Sequence, residues 1–375
     1  MPSARKVLVV GCGIAGGSLA TLLGRGGVEV EIAERNPDFT ALGSGITLQG
    51  AALRVLREVG VWDDLRKDGY EFNSLGLRSA NGRLLAEIPD VRTGGPDLPA
   101  TLGAYRPRLA ELLSNAAVEA GATTRLGVTL ESLEADEDGV DVRFSDGDSG
   151  RYDLVVAADG VRSRTRRAIG IEDTPTPVGM GIWRIHAPRP PEVERTDLIY
   201  DGPCFIAGYC PTGPETLYAY LVEPAQDRSK DSPEQRLQAM RELAEAYHGP
   251  WDAIRENITD PSRINYSLFE YLLVDGPWNR GRVVVIGDAA HACPPTLALG
   301  AALALEDASV LAEMLLAGDQ LDQSLFDSFQ QRRLGRVQPV LEGSMQLVNW
   351  QLAHERNADV PGLMRRISSL VSVPA

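Results

Sequence analysis

The chain has 375 residues, 24% of them charged, and a formal net charge of −15, which allows one large core or two interwoven ones and argues against non-specific attraction to nucleic acid or an anionic membrane surface. No apolar stretch approaches the ~20 residues needed to span a bilayer, and the short run Val7 to Val10, interrupted by Gly11, does not read as a secretory signal. Cys12, Cys204, Cys210 and Cys293 form no CxxC pair, and His186, His248, His291 and His354 are scattered, so a cytoplasmic chain with neither disulfides nor a metal site is expected.

Arg5 to Val10 reads as a buried strand. Gly11-Cys12-Gly13-Ile14-Ala15-Gly16 follows at once and leads into an Ala/Leu-rich helix over Gly17 to Gly24. This is the G-x-G-x-x-G pattern between a strand and a helix. The first glycine makes the tight turn, the second lets a pyrophosphate approach the backbone, and the third lets helix and strand pack closely. Val28 to Ala33 is the next strand, and Glu34 at its end stands where a carboxylate can bind ribose hydroxyls. A dinucleotide site is expected here.

Gly43-Ser44-Gly45-Ile46 reads as a loop, and a helix is expected from Ala51 toward Leu65. Tyr70 to Ile88 reads as strands joined at Asn81-Gly82, and Thr93-Gly94-Gly95-Pro96 as a connector. Arg106-Pro107-Arg108-Leu109 opens a helix toward Ala120, with Pro107 suited to its first turn. Val128 to Leu133 and Val140 to Phe144 read as hairpin strands. Asp153 to Ala158 reads as a further buried strand ending in Asp159-Gly160. The basic run Arg162 to Arg167 reads as a solvated helix start.

Between Gly179 and Ile264 short alternating runs appear: Ile182 to His186, Phe205 to Tyr209 and Leu217 to Leu221. They predict an antiparallel sheet with one polar-aromatic face. Arg184 and His186 share a face of one strand, and Tyr218 and Tyr220 share a face of another. Ser232 to His248 reads as a helix. Val283 to Ile286 is a last buried strand, followed by Gly287-Asp288-Ala289-Ala290-His291 and by Pro294-Pro295. The two prolines predict a stiff extended turn, and a helix beginning near Ala298 would aim its unpaired N–H groups back at whatever that turn holds.

Three motifs in this order resemble the flavoprotein aromatic hydroxylases, FAD-dependent monooxygenases with a para-hydroxybenzoate-hydroxylase-like fold. They are Gly11-x-Gly13-x-x-Gly16 with Glu34-Arg35, Asp159-Gly160 followed by Arg162-Ser163, and Gly287 to His291 with Pro294-Pro295. Arg106-x-x-Leu109 and Glu306-Asp307-Ala308 extend the similarity over most of the chain. The resemblance implies an α/β fold: a Rossmann-type FAD-binding domain, a parallel sheet with helices, interwoven with an antiparallel-sheet substrate domain, plus C-terminal helices. Residues 1–70, 98–175 and 275–375 would form the first domain and 71–97 and 176–274 the second.

The resemblance also implies roles. Gly11, Gly13, Ile14, Ala15 and Gly16 would cradle the FAD pyrophosphate, Glu34 and Arg35 its adenosine end, and Arg106 the flavin nucleotide. Asp159 and Gly160 sit in a motif that the family uses for FAD and the pyridine nucleotide. Gly287 and Asp288 would hold the ribityl chain, and Pro295, Leu299, Gly300 and Ala301 would flank the ring. The family often has Gly-Gln-Gly where this chain reads Ala298-Leu299-Gly300.

NADPH or NADH would visit transiently, and O2 would be the co-substrate, hydroxylating a small phenolic or heteroaromatic substrate through a flavin C4a-hydroperoxide. Arg184, His186 and Pro295 are the candidate catalytic residues, with Pro294 and Leu297 as further apolar lining. Tyr209, Tyr218 and Tyr220 are the candidate substrate contacts. No nucleic-acid or membrane partner is expected, and the chain is expected to be a monomer or homodimer. The alternatives are a flavin-dependent reductase or dehydrogenase and a non-catalytic FAD-binding partner. A related halogenase is disfavoured, since the lysines are only Lys6, Lys67 and Lys230 and Trp183-Arg184-Ile185 lacks a second tryptophan.

Overall fold

Near-continuous apolar runs make strands that can be covered on both faces, and these build the first sheet of the computed structural model. Its six strands run in the order Asn279–Arg280, Val283–Val285, Leu154–Ala157, Lys6–Val10, Glu29–Glu34 and Thr123–Leu126. All neighbours are parallel except the first pair. The helices Ile14–Arg25, Arg106–Glu119 and Gly300–Ala317 pack together beside it. Described are residues 2–39, 43 and 45–375; of the loop expected at Gly43 to Ile46, Ser44 lies outside them, and Ile46 already begins a strand.

The alternating runs form an eight-stranded sheet. Its order is His291–Ala292, Ile264–Leu273, Thr176–Pro188, Thr216–Pro224, Ile206–Pro211, Thr196–Ile199, Ser74–Arg78 and Leu84–Pro89. One face is apolar: Trp183, Ile185, Ala219 and Leu221 pack against Met240 and Trp251 of the helices Pro233–Ala244 and Pro250–Glu256. The opposite face, one residue out of phase, carries Ile182, Arg184, His186, Tyr218 and Tyr220. A three-stranded sheet of Ile46–Gln49, Thr101–Ala104 and Tyr70–Phe72 presses against that second face. Gly103 makes the approach possible, because a Cβ there would lie 1.8 Å from the Pro211 carbonyl oxygen.

Two expected helices differ in extent. The stretch from Ala51 toward Leu65 is two helices, Gly50–Val59 and Trp62–Asp68. Gly60 separates them at φ +82°, a left-handed conformation that ends a helix. The helix expected from Ser232 to His248 is shorter, Pro233–Ala244, with Ser232 and Gln235 closing a capping box. The long helix Gln323–Leu352 and the final helix Val360–Ser372 complete the chain. Among the described residues no helix is long and apolar enough to cross a membrane.

Candidate functional site

The site starts at the glycine turn. Gly11 adopts φ +96°, and a Cβ at Gly16 would lie 2.0 Å from the Gly11 carbonyl oxygen. An added Cβ at Gly13 would meet nothing within 4 Å, so the middle glycine faces open space. The helix Ile14–Arg25 begins there with no side-chain cap and no acid in its first turn, which leaves N–H groups for an anion. Ala15 is buried behind the turn and Ile14 half-buried beside it. Glu34 is fixed by the Cys12 amide, which donates to its Oε2 at 2.9 Å, and by the Asn36 amide, which donates to Oε1. Arg35 is exposed next to it.

The loop after Leu154–Ala157 is closed on its own acid. Asp159 Oδ2 accepts from the amides of Arg164 and Thr165 and from Thr165 Oγ1, and Oδ1 accepts from Ser163 Oγ. Its carboxylate is used within its own loop, and at Gly160 an added Cβ would meet nothing within 4 Å. The basic run is not a solvated helix start throughout. Arg166 is 1% exposed and donates to the carbonyls of Ala289, Val161 and Asp173. A buried guanidinium survives because carbonyl oxygens replace its water, and here it ties the Asp159 loop to the turn at Gly287.

That turn is held from behind. Asp307 Oδ2 accepts from the Gly287 amide at 2.8 Å and lies 2.7 Å from His291 Nε2, while Arg333 Nε donates to Oδ1 at 2.6 Å. Burial alone would raise the Asp307 carboxyl, but His291 and Arg333 outweigh it and hold it down at about 2. Glu306, one residue back, accepts from Arg333 and Arg336. His291 thus bonds a carboxylate 16 positions ahead of it instead of a group of its own turn. Nothing near His291 in the sequence points to Arg333, 42 positions on.

With its back anchored, the turn exposes Asp288 to the concavity. The crowding walls raise its carboxyl above the ordinary value, against the pull of His291 and Arg106. Pro295–Leu297 is a 3₁₀ turn instead of an extended one, fixed by Gln49 Nε2 donating to the Leu297 carbonyl at 2.8 Å. Pro295 is exposed, whereas Pro294 and Leu297 are buried and supply no lining. Ala298 takes φ +53°, a conformation that costs a non-glycine residue roughly 1–2 kcal/mol. Leu299 is 2% exposed and packs into the main core, so its side chain cannot touch a ring in the cleft. The helix Gly300–Ala317 starts without a side-chain cap, Ala301 is half-buried, and a Cβ at Gly300 would meet nothing within 4 Å.

Facing this turn is the second face of the large sheet. Arg184 donates to Ser267 Oγ at 3.0 Å, and among the described residues no carboxylate pairs with it. Burial lowers its guanidinium below the ordinary value, and Arg106 acts in the same direction. Tyr218 and Tyr220 stack with centroids 5.4 Å apart, and the Tyr218 hydroxyl lies 2.9 Å from Thr47 Oγ1. Tyr105 stacks on His186 at 4.5 Å, and His186 Nε2 lies 3.2 Å from Thr212 Oγ1. Burial, with Arg263 adding to it, lowers His186 to about 4, so it is neutral at pH 7. Tyr209 is not on this face. It is paired with Ala219 in register, is fully buried, and donates to Asp197 Oδ2 at 2.7 Å; its phase along the strand puts it in the core beneath the sheet.

These residues fit FAD: open glycine backbone at two uncapped helix starts suits a pyrophosphate and an electron-rich ring, and Asp288 and Glu34 suit hydroxyls. A model of the FAD binding domain matches residues 4–344. A putative FAD-dependent monooxygenase, YetM, of Bacillus subtilis is 28% identical over 95% of this chain and 96% of its own length. The 2-heptyl-3-hydroxy-4(1H)-quinolone synthase of Pseudomonas aeruginosa is 31% identical over 88% of this chain and 86% of its own. In fold the chain is similar to Klebsiella pneumoniae HpxO, solved with FAD and uric acid, at a TM-score of 0.81 and 19% identity, covering 98% of this chain and 92% of that one. The match over nearly the whole length, added to the geometry of the two glycine-lined helix starts, places the chain in the flavoprotein aromatic hydroxylase family, as an FAD-dependent monooxygenase.

Proposed function

We propose that the protein hydroxylates a small aromatic substrate bearing an anionic or strongly hydrogen-bond-accepting oxygen, a phenol or a heteroaromatic acid. The observation that carries this is Arg184, a cation facing the cleft beside two stacked tyrosines, with no carboxylate partner among the described residues. A buried guanidinium of this kind favours a ligand that brings the missing negative charge. The quinolone synthase that resembles this chain is named for a heteroaromatic product, which supports the same class.

Bound FAD supplies the redox chemistry: two electrons from NAD(P)H, one oxygen atom of O2 to the ring carbon and the other to water. The chain's own residues do the rest. Gly13, Ile14 and Gly160 would offer backbone to the pyrophosphate, Glu34 and Asp288 would accept from ribose and ribityl hydroxyls, and Arg106 would offer a cation. The start of Gly300–Ala317, which has no side-chain cap, would favour negative charge on the bound cofactor. Pro295 keeps water away from one side. Arg184 orients the substrate. Neutral His186 can accept a hydrogen bond from a phenolic hydroxyl and so polarise the ring without taking the proton. Tyr218 keeps its own proton, because burial raises its phenol well above the ordinary value.

The test is consumption of NAD(P)H by the FAD-loaded protein against a panel of phenols and heteroaromatic acids, with ¹⁸O2 as oxidant. Substrate-dependent consumption with one labelled oxygen in the product is expected. Consumption without labelled product would assign a reductase, and an unreduced flavin under every ligand a non-catalytic FAD carrier.

A further inference from the structure

One cross-strand file of the large sheet changes character from end to end. Arg184 is paired with Tyr220, Tyr220 with Gly208, Gly208 with Leu198, Leu198 with Leu77 and Leu77 with Ala86. Cross-strand partners project on the same face, so these six residues lie in line on the face that carries Arg184. The order is cation, phenol, glycine, then three aliphatic positions. A Cβ at Gly208 would lie 2.6 Å from the Tyr220 ring, so that ring leans outward along the file. From Tyr220 to Ala86 the file crosses four strand spacings of about 4.8 Å, roughly 19 Å in all.

The outer half of the file is open. Leu198 and Leu77 are half-buried and Ala86 is exposed. Flanking it, Ile88 is 44% and Tyr200 52% exposed. The other face of the same strands is polar, with Arg78 and Arg195 on Asp197 and Arg195 on Glu87. The apolar strip is therefore one-sided and continuous with the wall that holds Arg184.

We propose that this strip is a subsite for an extended hydrocarbon tail, and that the substrate is an amphiphile. Its polar aromatic head sits at Arg184 and Tyr220, and its chain runs outward over Leu198, Leu77 and Ala86. The inference rests on the Arg184 face being the substrate wall. A chain suits the strip better than a second copy of the protein does. The strip begins inside the cleft, where a folded partner cannot follow, and the edge strand Leu84–Pro89 carries Glu87 and Pro89, residues that discourage pairing between sheets.

The experiment titrates the FAD-loaded full chain with 4-methyl-, 4-heptyl- and 4-decylbenzoate, reading the flavin absorbance change. A carboxylate can pair with Arg184 while the para chain points along the file. With one side of the chain covered, affinity should rise about twofold per methylene, roughly 50-fold from methyl to heptyl. Only the decyl chain is long enough to approach Ala86, so Ala86→Glu, at an exposed position, should bring the decyl-to-heptyl ratio, otherwise about eightfold, close to one. Equal affinity across the series, no binding by any member, or an undiminished ratio in Ala86→Glu would each overturn the proposal. So would light scattering that shows a dimer split by Ala86→Glu. Labelled-oxygen transfer to a short phenol would in every one of those cases leave the hydroxylase reading standing.

Discussion

The turn from Gly287 to Gly300 and the sheet face opposite it divide the work of the site in opposite ways. The turn meets its ligand with backbone, helix starts and a single carboxylate, Asp288, and is braced from behind by the charges of Asp307, Glu306, Arg333 and Arg336. The sheet face meets its ligand with side chains and keeps its hydrophobic core behind, on Trp183, Tyr209 and Trp251. A site that recognises one fixed cofactor can use backbone, which any sequence supplies once the glycines are in place. A site that must discriminate among aromatic rings needs particular side chains. Substitutions behind the turn should therefore cost stability and cofactor together, whereas substitutions on the sheet face should cost substrate alone.

The largest effect is expected at Asp307→Ala, which leaves the Gly287 amide, His291 and Arg333 Nε buried without their acceptor and leaves Glu306 as the only carboxylate on the Arg333 guanidinium. Loss of about 3–5 kcal/mol is expected, read as a lower urea midpoint and as FAD release on gel filtration. The same group sets a pH dependence. Its folded value of about 2 lies below the ordinary 3.8, so its contribution is present above 3.8 and is lost as pH falls toward 2. Acid unfolding followed by tryptophan fluorescence should show Asp307→Asn with a weaker dependence in that window.

Gly16→Val comes next. A Cβ there already meets the Gly11 carbonyl, so the turn must open, and FAD affinity should fall on the order of 100-fold by calorimetry. Arg184→Met should raise KM for anionic aromatics roughly 30-fold, about 2 kcal/mol, while FAD affinity stays as it was; a parallel loss of FAD would erase the contrast between the two regions. His186→Gln should be smaller again. Because burial lowers His186 to about 4 from 6.5, its neutral form stabilises the fold above pH 6.5 and that contribution is lost as pH falls toward 4, so the variant should resist mild acid better in a thermal melt. The smallest effect is at Ala298→Gly, which relieves the left-handed backbone and should stabilise the protein by roughly 1 kcal/mol in urea.

The contrast also explains what could be seen in the sequence. Gly11, Gly13, Gly16, Gly287 and the proline pair announce themselves because a tight turn or a close approach tolerates few other residues. The parallel strands Lys6–Val10, Leu154–Ala157 and Val283–Val285 were legible as apolar runs, whereas the edge strand Thr123–Leu126 was not, because its mostly exposed residues carry no such run. Arg166 was not, because its acceptor at Ala289 lies 123 residues away and a run of arginines looks alike whether it is solvated or buried. Leu299 stood where the family has glutamine, yet its exposure depends on how the helix start is rotated, which local pattern leaves open. Tyr209 was misplaced by strand phase: a one-residue change of phase exchanges cleft and core, and only the pairing of Tyr209 with Ala219 decides it.

The short pairing of His291–Ala292 with Leu272 and Leu273 stitches the floor of the cleft to its roof. Floor and roof share one hydrogen-bonded ladder, so they open together or not at all. Stripping the cofactor should then be felt at a distance, as faster amide deuterium uptake along Ile264–Leu273, a strand whose described residues include none of those assigned to the flavin. Saturating the roof with ligand should, by the same linkage, slow the escape of the cofactor below it.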